Sequence, residues 1–306
     1  MTDILLFFIN NPNIYLVVVT IFSLFIGSFL NVVIYRLPKI LESEWDTECR
    51  LYLGLPLEVK NKLSLSYPFS HCPQCQHGIR PWHNIPILSY LFLSGQCAYC
   101  RATIAITYPL IELITCIMSV SIAMHFGVSF QTLAALCFTW IIIALTFIDL
   151  KHHILPDQLT FLLLWIGLFS SIFNLFCSMQ DAIIGGMAGY SIFALIQGLF
   201  KLVTGKEGMG QGDFKFLAAI GGFLGWHLLP VIILLSSLSG IIVALINMII
   251  KKNYKSYPIP FGPYLAAASW CILLKGEKIM QYSYYFNIVL NKLNYRLNIS
   301  NLLLVY

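Results

Sequence analysis

The 306 residues are 58% hydrophobic and only 10% charged, with a mean hydropathy of +0.81 and a formal net charge of +5. Soluble domains carry about 25% charged residues, so this chain has too few polar groups to cover a water-exposed surface, and a soluble globular enzyme is excluded. The bilayer is its solvent, and its positive charge is read segment by segment as a report of orientation.

A membrane helix needs about 20 mainly apolar residues. Taken in chain order, eight spans are predicted, at about 14–35, 105–125, 130–149, 158–177, 182–203, 214–228, 229–250 and 259–275. Upstream of them, Ile4 to Ile9 is a short apolar run with no basic residue before it and no small-residue cleavage site after it, so no cleavable signal peptide is expected. The sixth span is short and contains Gly221, Gly222 and Gly225, which blurs its boundary with the seventh. Arg36, Lys39, Arg50, Lys60, Lys62, Arg80 and Arg101 fall between the first two spans, so that stretch is expected in the cytoplasm. Lys151, Lys201, Lys206, Lys251, Lys252 and Lys255 then fall on the same side, whereas Lys275 and Lys278 fit less well.

The expectation is an all-α polytopic membrane protein of about eight transmembrane helices, with a cytoplasmic four-cysteine zinc-binding insertion between helices 1 and 2. Its parts are an N-terminal transmembrane helix in 1–36, the insertion in 37–104, a seven-helix bundle in 105–278 and an unassigned tail in 279–306. Gly185, Gly186, Ala188 and Gly189 put small residues at helical spacing, which lets helices pack closely.

The insertion carries Cys72-Pro73-Gln74-Cys75 and Cys97-Ala98-Tyr99-Cys100. Each C-x2-C can form a tight turn that aims two thiolates at one point, and two such turns complete a closed tetrahedral zinc site. The alternative, two disulfides or free thiols, sits badly with a reducing cytoplasm. A segment this small has little core of its own, and one structural zinc would supply folding free energy. His77 and His83 are expected at the surface rather than on the metal. The remaining cysteines stand singly, most of them in apolar spans, where cysteine is a small hydrophobe.

Acidic residues near membrane depth are costly and point to function. Asp149 ends the third span, Asp157 follows Leu155-Pro156, and Asp213 closes Gly210-Gln211-Gly212-Asp213. All three fall at the cytoplasmic edge, so any two could meet. Two carboxylates held about 3 Å apart share one proton, one serving as base and the other as acid. The glycines beside Gln211 remove side chains next to Asp213 and let a substrate strand approach the backbone. Asp157, after a proline and before a helix, reads as an N-cap. Glu112 lies inside the second span and Asp181 at the opposite edge.

These residues resemble the bifunctional type IV prepilin peptidases, the leader peptidase/N-methyltransferases. The resemblance rests on Gly27-Ser28-Phe29-Leu30-Asn31 with Arg36-Leu37-Pro38, both cysteine pairs, Asn84-Ile85-Pro86, and Tyr108-Pro109-Leu110-Ile111-Glu112. It continues in Leu155-Pro156-Asp157, residues 205–214, and Pro260-Phe261-Gly262-Pro263-Tyr264. It implies a membrane aspartic endopeptidase of the bacterial inner membrane. Such an enzyme removes leader peptides from prepilins and type II secretion pseudopilins at the cytoplasmic face. It then methylates the new N-terminal residue with S-adenosylmethionine. On this resemblance Asp149 and Asp213 are catalytic, Gly210 and Gly212 form the active-site loop, and Cys72, Cys75, Cys97 and Cys100 bind metal. Gly95 is a candidate for the methyl-transfer pocket, with a turn in the knuckle as its competing role. The partners implied are protein substrates and membrane lipid, with no nucleic acid.

Three other readings compete. A presenilin-like intramembrane protease would share the GxGD aspartate but not the four-cysteine insertion. A proton-relaying transporter would show repeated broken helices at the midplane. A non-enzymatic zinc-ribbon assembly factor would need the cysteines but not the aspartates.

Overall fold

The computed structural model describes residues 2–56, 63–68, 70–72, 74–206, 208–251 and 260–276. The expected tail, together with Lys60, Lys62, Lys252, Lys255 and Lys278, lies outside the described residues. Among those described, the regular elements are helices: α1 (Thr2–Asn10), α2 (Pro12–Tyr52), α3 (Leu88–Phe92), α4 (Thr107–Phe126), α5 (Phe130–His152), α6 (Asp157–Ile172), α7 (Met179–Thr204), α8 (Gln211–Leu224), α9 (Leu229–Lys251) and α10 over 262–276. The protein is an all-helical membrane protein carrying a four-cysteine cluster at 72–100.

Every expected span falls on a helix, but five of these helices, α2, α4, α5, α7 and α9, are long and apolar enough to cross a membrane. α6 has 16 residues and α8 has 14. The shortness of α8 has a physical reason. Every residue from Phe216 to Leu224 is buried, and α6 and α7 pack along it, so protein rather than lipid surrounds that stretch. Backbone that stops short of a membrane face is tolerated where protein encloses it. The blurred boundary after α8 resolves into a turn at Gly225, whose φ of +84° suits glycine, and a short 3-10 turn at Trp226–Leu228 leads into α9.

The glycine row of α7 seats it on α8. A β-carbon at Gly185 would collide with the Gly221 carbonyl, and one at Gly189 would lie 2.6 Å from the Leu217 oxygen. Small residues here let dispersion and backbone contact replace the hydrophobic effect, which is weak between helices in lipid.

α2 and α4 cross through the two motifs that flank the insertion. A β-carbon at Gly27 would sit 2.8 Å from Glu112 Cα, and Asn31 Nδ2 donates to the Tyr108 carbonyl at 3.1 Å. Beyond this crossing α2 does not end with its apolar run. It continues across residue 36 to Tyr52, about 60 Å in all. The buried Arg36 donates to the carbonyls of Ser64, Leu65 and Pro68, at 3.0, 3.1 and 2.6 Å, and ties the returning chain to this stem. Carbonyl oxygens satisfy the guanidinium where an unpaired buried charge would be costly.

Candidate active site

The loop between α5 and α6 and the start of α8 meet at one end of the bundle. Asp149 lies in the last turn of α5, where its carbonyl accepts the N–H of His153, the left-handed residue that closes the helix. Asp213 stands in the first turn of α8, behind Gly210 at the N-cap. Both carboxylates line a cleft of about 230 Å³, together with Trp45, His153, Ile154, Leu155, Asp157, Gly210 and Gly212. Two aspartates from different helices thus share one pocket with room for a water and a peptide backbone.

Each is held differently. Asp149 Oδ2 accepts the backbone N–H of Gly262 at 3.0 Å, and a β-carbon on that glycine would lie 2.6 Å from the same oxygen. Gly262, at the start of α10, is therefore a glycine because Asp149 is there. Gly212 faces Leu155, whose Cβ a methyl group would meet at 2.9 Å. Gly210 has an ordinary φ of −77°, and a β-carbon there would come no closer than 3.9 Å to Asp213 Oδ2. Its missing side chain leaves the cleft open beside the carboxylate; it does not relieve strain. Neither Asp149 nor Asp213 makes an ion pair with Lys, Arg or His among the described residues.

Asp157 overturns an expectation. It is not an N-cap: Pro156 holds that position, Asp157 is the first helical residue, and its carboxylate receives Lys215 Nζ at 2.7 and 2.8 Å. Pro156 has the extended, non-helical backbone of a cap residue, with ψ at 129°, so the helix begins one residue later, at Asp157.

Sequence reasoning missed Trp45 and the contact made by Gly262. Trp45 comes from the polar extension of α2. Glu42, one turn before it on the same face, lies 3.6 Å from His152 Nδ1, which sets the stem against the end of α5. The signal for Gly262 was the Pro260-Phe261-Gly262-Pro263 run itself, but nothing local in it names Asp149.

The cysteines form two copies of one turn. Gln76 N–H donates to the Cys72 carbonyl and Cys72 N–H to the His77 carbonyl, at 2.9 and 3.0 Å; Arg101 and Cys97, with Ala102, repeat this at 3.0 and 2.8 Å. Gln76 and Arg101 both sit at φ +57°, and isolated bridges join His71 to Gly78 and Gln96 to Thr103. The four sulfurs lie within 4.8 Å of one another, with Cys72 and Cys100 at 3.8 Å. Metal–thiolate bonds of about 2.3 Å in a tetrahedron place the sulfurs about 3.8 Å apart, so the cluster fits a metal ion, and 3.8 Å is far too long for a disulfide. N–H groups of Cys75 and Gln74 pull the Cys72 thiol down to about 6, and those of Cys100 and Tyr99 lower Cys97. These two positions favour thiolates. His77 stacks on Tyr99 at 3.9 Å between ring centroids and lies outside the four-cysteine group.

Gly95 adopts φ +70°, and a β-carbon there would meet Tyr90 Oη at 2.9 Å. It turns the chain into the second cysteine pair and packs against that tyrosine.

An all-helical membrane bundle with a shared aspartate cleft and a four-cysteine module fits the class of membrane aspartic peptidases with a four-cysteine insertion. Residues 21–126 match the model of the bacterial peptidase A24 N-terminal domain and residues 136–245 that of the type IV leader peptidase family. The chain is 50% identical over 273 residues to a prepilin leader peptidase/N-methyltransferase of Aeromonas hydrophila, spanning 89% of this chain and 94% of that protein. It is 48% identical to that of Pseudomonas aeruginosa over 88% and 93% of the two chains, and 43% identical to that of Legionella pneumophila over 90% and 96%. No solved structure matches it. The chain belongs to the type IV leader peptidase family.

Proposed function

We propose that the protein cleaves the leader peptide from prepilins and pseudopilins and then methylates the new N-terminal amine with S-adenosylmethionine. The observation that carries the peptidase half is the convergence of Asp149 and Asp213 on one cleft. Two neighbouring carboxylates share a proton, one activating water and the other protonating the scissile carbonyl or leaving amine. The Gly262 N–H orients Asp149, Gly210 keeps the approach beside Asp213 open, and Trp45 offers an apolar wall to the substrate.

The cleft lies at one end of the bundle, the level at which a membrane helix would emerge with a polar leader. The lysine and arginine distribution favours the cytoplasmic side for that end. Cys72, Cys75, Cys97 and Cys100 would hold one structural zinc, which supplies folding free energy to the insertion and leaves no open coordination position. Methyl transfer is assigned to the insertion, with Gly95 and Tyr90 shaping its second knuckle.

The test is incubation of the detergent-solubilised full-length protein with a prepilin, followed by mass spectrometry. A shortened product that gains one methyl group in the presence of S-adenosylmethionine is expected. A well-folded protein that leaves the leader intact overturns the reading.

A further inference from the structure

From Pro81 to Cys100 the insertion contains no Asp, Glu, Lys or Arg, yet Trp82, Ile85, Leu88, Leu91 and Phe92 are exposed, the last two at 66% and 85%. Leu88, Leu91 and Phe92 occupy one face of α3. Exposed apolar side chains clustered in this way mark a contact with a partner or a membrane. One hydrogen bond ties this stretch to α4 and a second joins it to the linker that leads into α4. Ile87 N–H, immediately before α3, donates to Glu112 Oε2 at 2.8 Å, and Ile104 N–H donates to the Gly95 carbonyl, just after α3, at 2.7 Å.

α4 has 20 residues and rises about 30 Å, which matches the thickness of the hydrocarbon core. With α4 set across the bilayer, its first turn comes to the surface and Glu112 lies about 7 Å below it. The Glu112 side chain reaches back toward the helix start by a few ångströms, which still leaves the Ile87 amide below the surface. Ile104 precedes α4 and lies at or above the surface. α3 therefore runs from a tether on α4, little more than one turn into that helix, to the linker that enters its first turn.

We infer that the insertion is seated in the lipid of the membrane interface through Leu88, Leu91 and Phe92. Trp82, with the Arg80 guanidinium 5.5 Å from its ring, and the exposed Arg101 stand at either end of the uncharged stretch, where headgroup-level anchors belong. Glu112, buried and outside the aspartate cleft, acts as the tether that fixes the depth of this element. Cys97 follows Gly95 by two residues, so the metal module rests on the bilayer surface instead of hanging from a free linker. This holds whether or not the enzymatic reading is right, since it rests on helix length, exposure and two hydrogen bonds.

The experiment introduces the photoreactive residue benzoylphenylalanine singly at Leu91, Phe92 and Tyr52 of the full-length chain. Tyr52, 92% exposed at the far end of α2, is the aqueous control. Protein in phosphatidylethanolamine–phosphatidylglycerol vesicles is illuminated and its adducts are mapped by mass spectrometry. Acyl-chain adducts at positions 91 and 92, at least several-fold above position 52, are expected. Adducts to the 277–306 segment, adducts between two copies of the chain, or lipid adducts no more abundant than at Tyr52 each overturn the inference.

Discussion

Lys215 clasps Asp157, a third aspartate lining the cleft that Asp149 and Asp213 share, with its ammonium 2.7 and 2.8 Å from the two carboxylate oxygens. The cleft therefore contains three aspartates but only two that are not ion-paired.

That relationship makes the first prediction. Asp149→Asn and Asp213→Asn each remove one half of an acid–base cycle and should lower prepilin cleavage by at least about 10²–10⁴-fold. Asp157→Asn breaks a half-exposed ion pair worth up to about 1 kcal/mol, so activity should stay within roughly five-fold of the parent. Initial rates of leader removal check this. A dead Asp157→Asn beside an active Asp149→Asn would mean that the pair has been misassigned.

Gly262→Ala should be nearly as damaging as loss of an aspartate, although it removes no functional group. The added methyl group would sit 2.6 Å from Asp149 Oδ2 and 3.2 Å from Leu155 Cδ2, so the carboxylate has to move. A displacement of about 1 Å at a reacting group costs on the order of 10²-fold. The expected result is a large fall in kcat with an almost unchanged thermal melt in detergent. Full activity would show that the Gly262 contact does not position the carboxylate.

The sequence made the helices and the chemistry legible but not the contacts. Apolar length located every helix of the bundle because lipid imposes a minimum run of apolar residues. It failed on the lower half of α2, since Glu42 to Arg50 are polar and water-exposed helix leaves no hydropathy signal; Trp45 was lost with it. Among the described residues five of the helices reach a spanning length, and the 14-residue α8 is shorter because its neighbours bury it. The cysteine pairs were readable because both partners in each turn are local. Asp157–Lys215 and Asp149–Gly262 were not, because each joins segments that only the tertiary fold brings together.

Metal loss should separate the insertion from the bundle. Purified protein is expected to contain one zinc per chain, and Cys72→Ser or Cys97→Ser to lose it, as read by elemental analysis. Since the cysteines are absent from the lining of the aspartate cleft, cleavage should fall by less than about ten-fold, the loss of a closed structural metal loosening its own module first. Limited proteolysis should open within 64–104 while α5 to α9 stay intact. Carefully prepared wild-type protein without any metal would sink this prediction.

The last prediction concerns the division between the two activities. Hydrolysis needs the aspartate cleft; methyl transfer needs a donor pocket and a neutral amine, and neither requires a shared-proton pair. Asp213→Asn given a prepilin already cut at its leader should therefore still methylate the N-terminal residue, seen as a mass increase of one methyl group. Gly95→Ala should depress methylation more than cleavage, and the geometry says why. At φ +70° the alanine is strained, and its β-carbon meets Tyr90 Oη at 2.9 Å and Cζ at 3.0 Å. If Gly95 matters by packing, Tyr90→Ala in the same chain removes the collision and should restore part of the methylation, leaving only the backbone strain of about 1 kcal/mol. If Gly95 instead forms the floor of the donor pocket, the second substitution restores nothing. The double mutant, measured on pre-cut substrate, thus tells a knuckle turn from a cofactor contact. Failure of Asp213→Asn to methylate that substrate, with its fold intact, would make the two sites one.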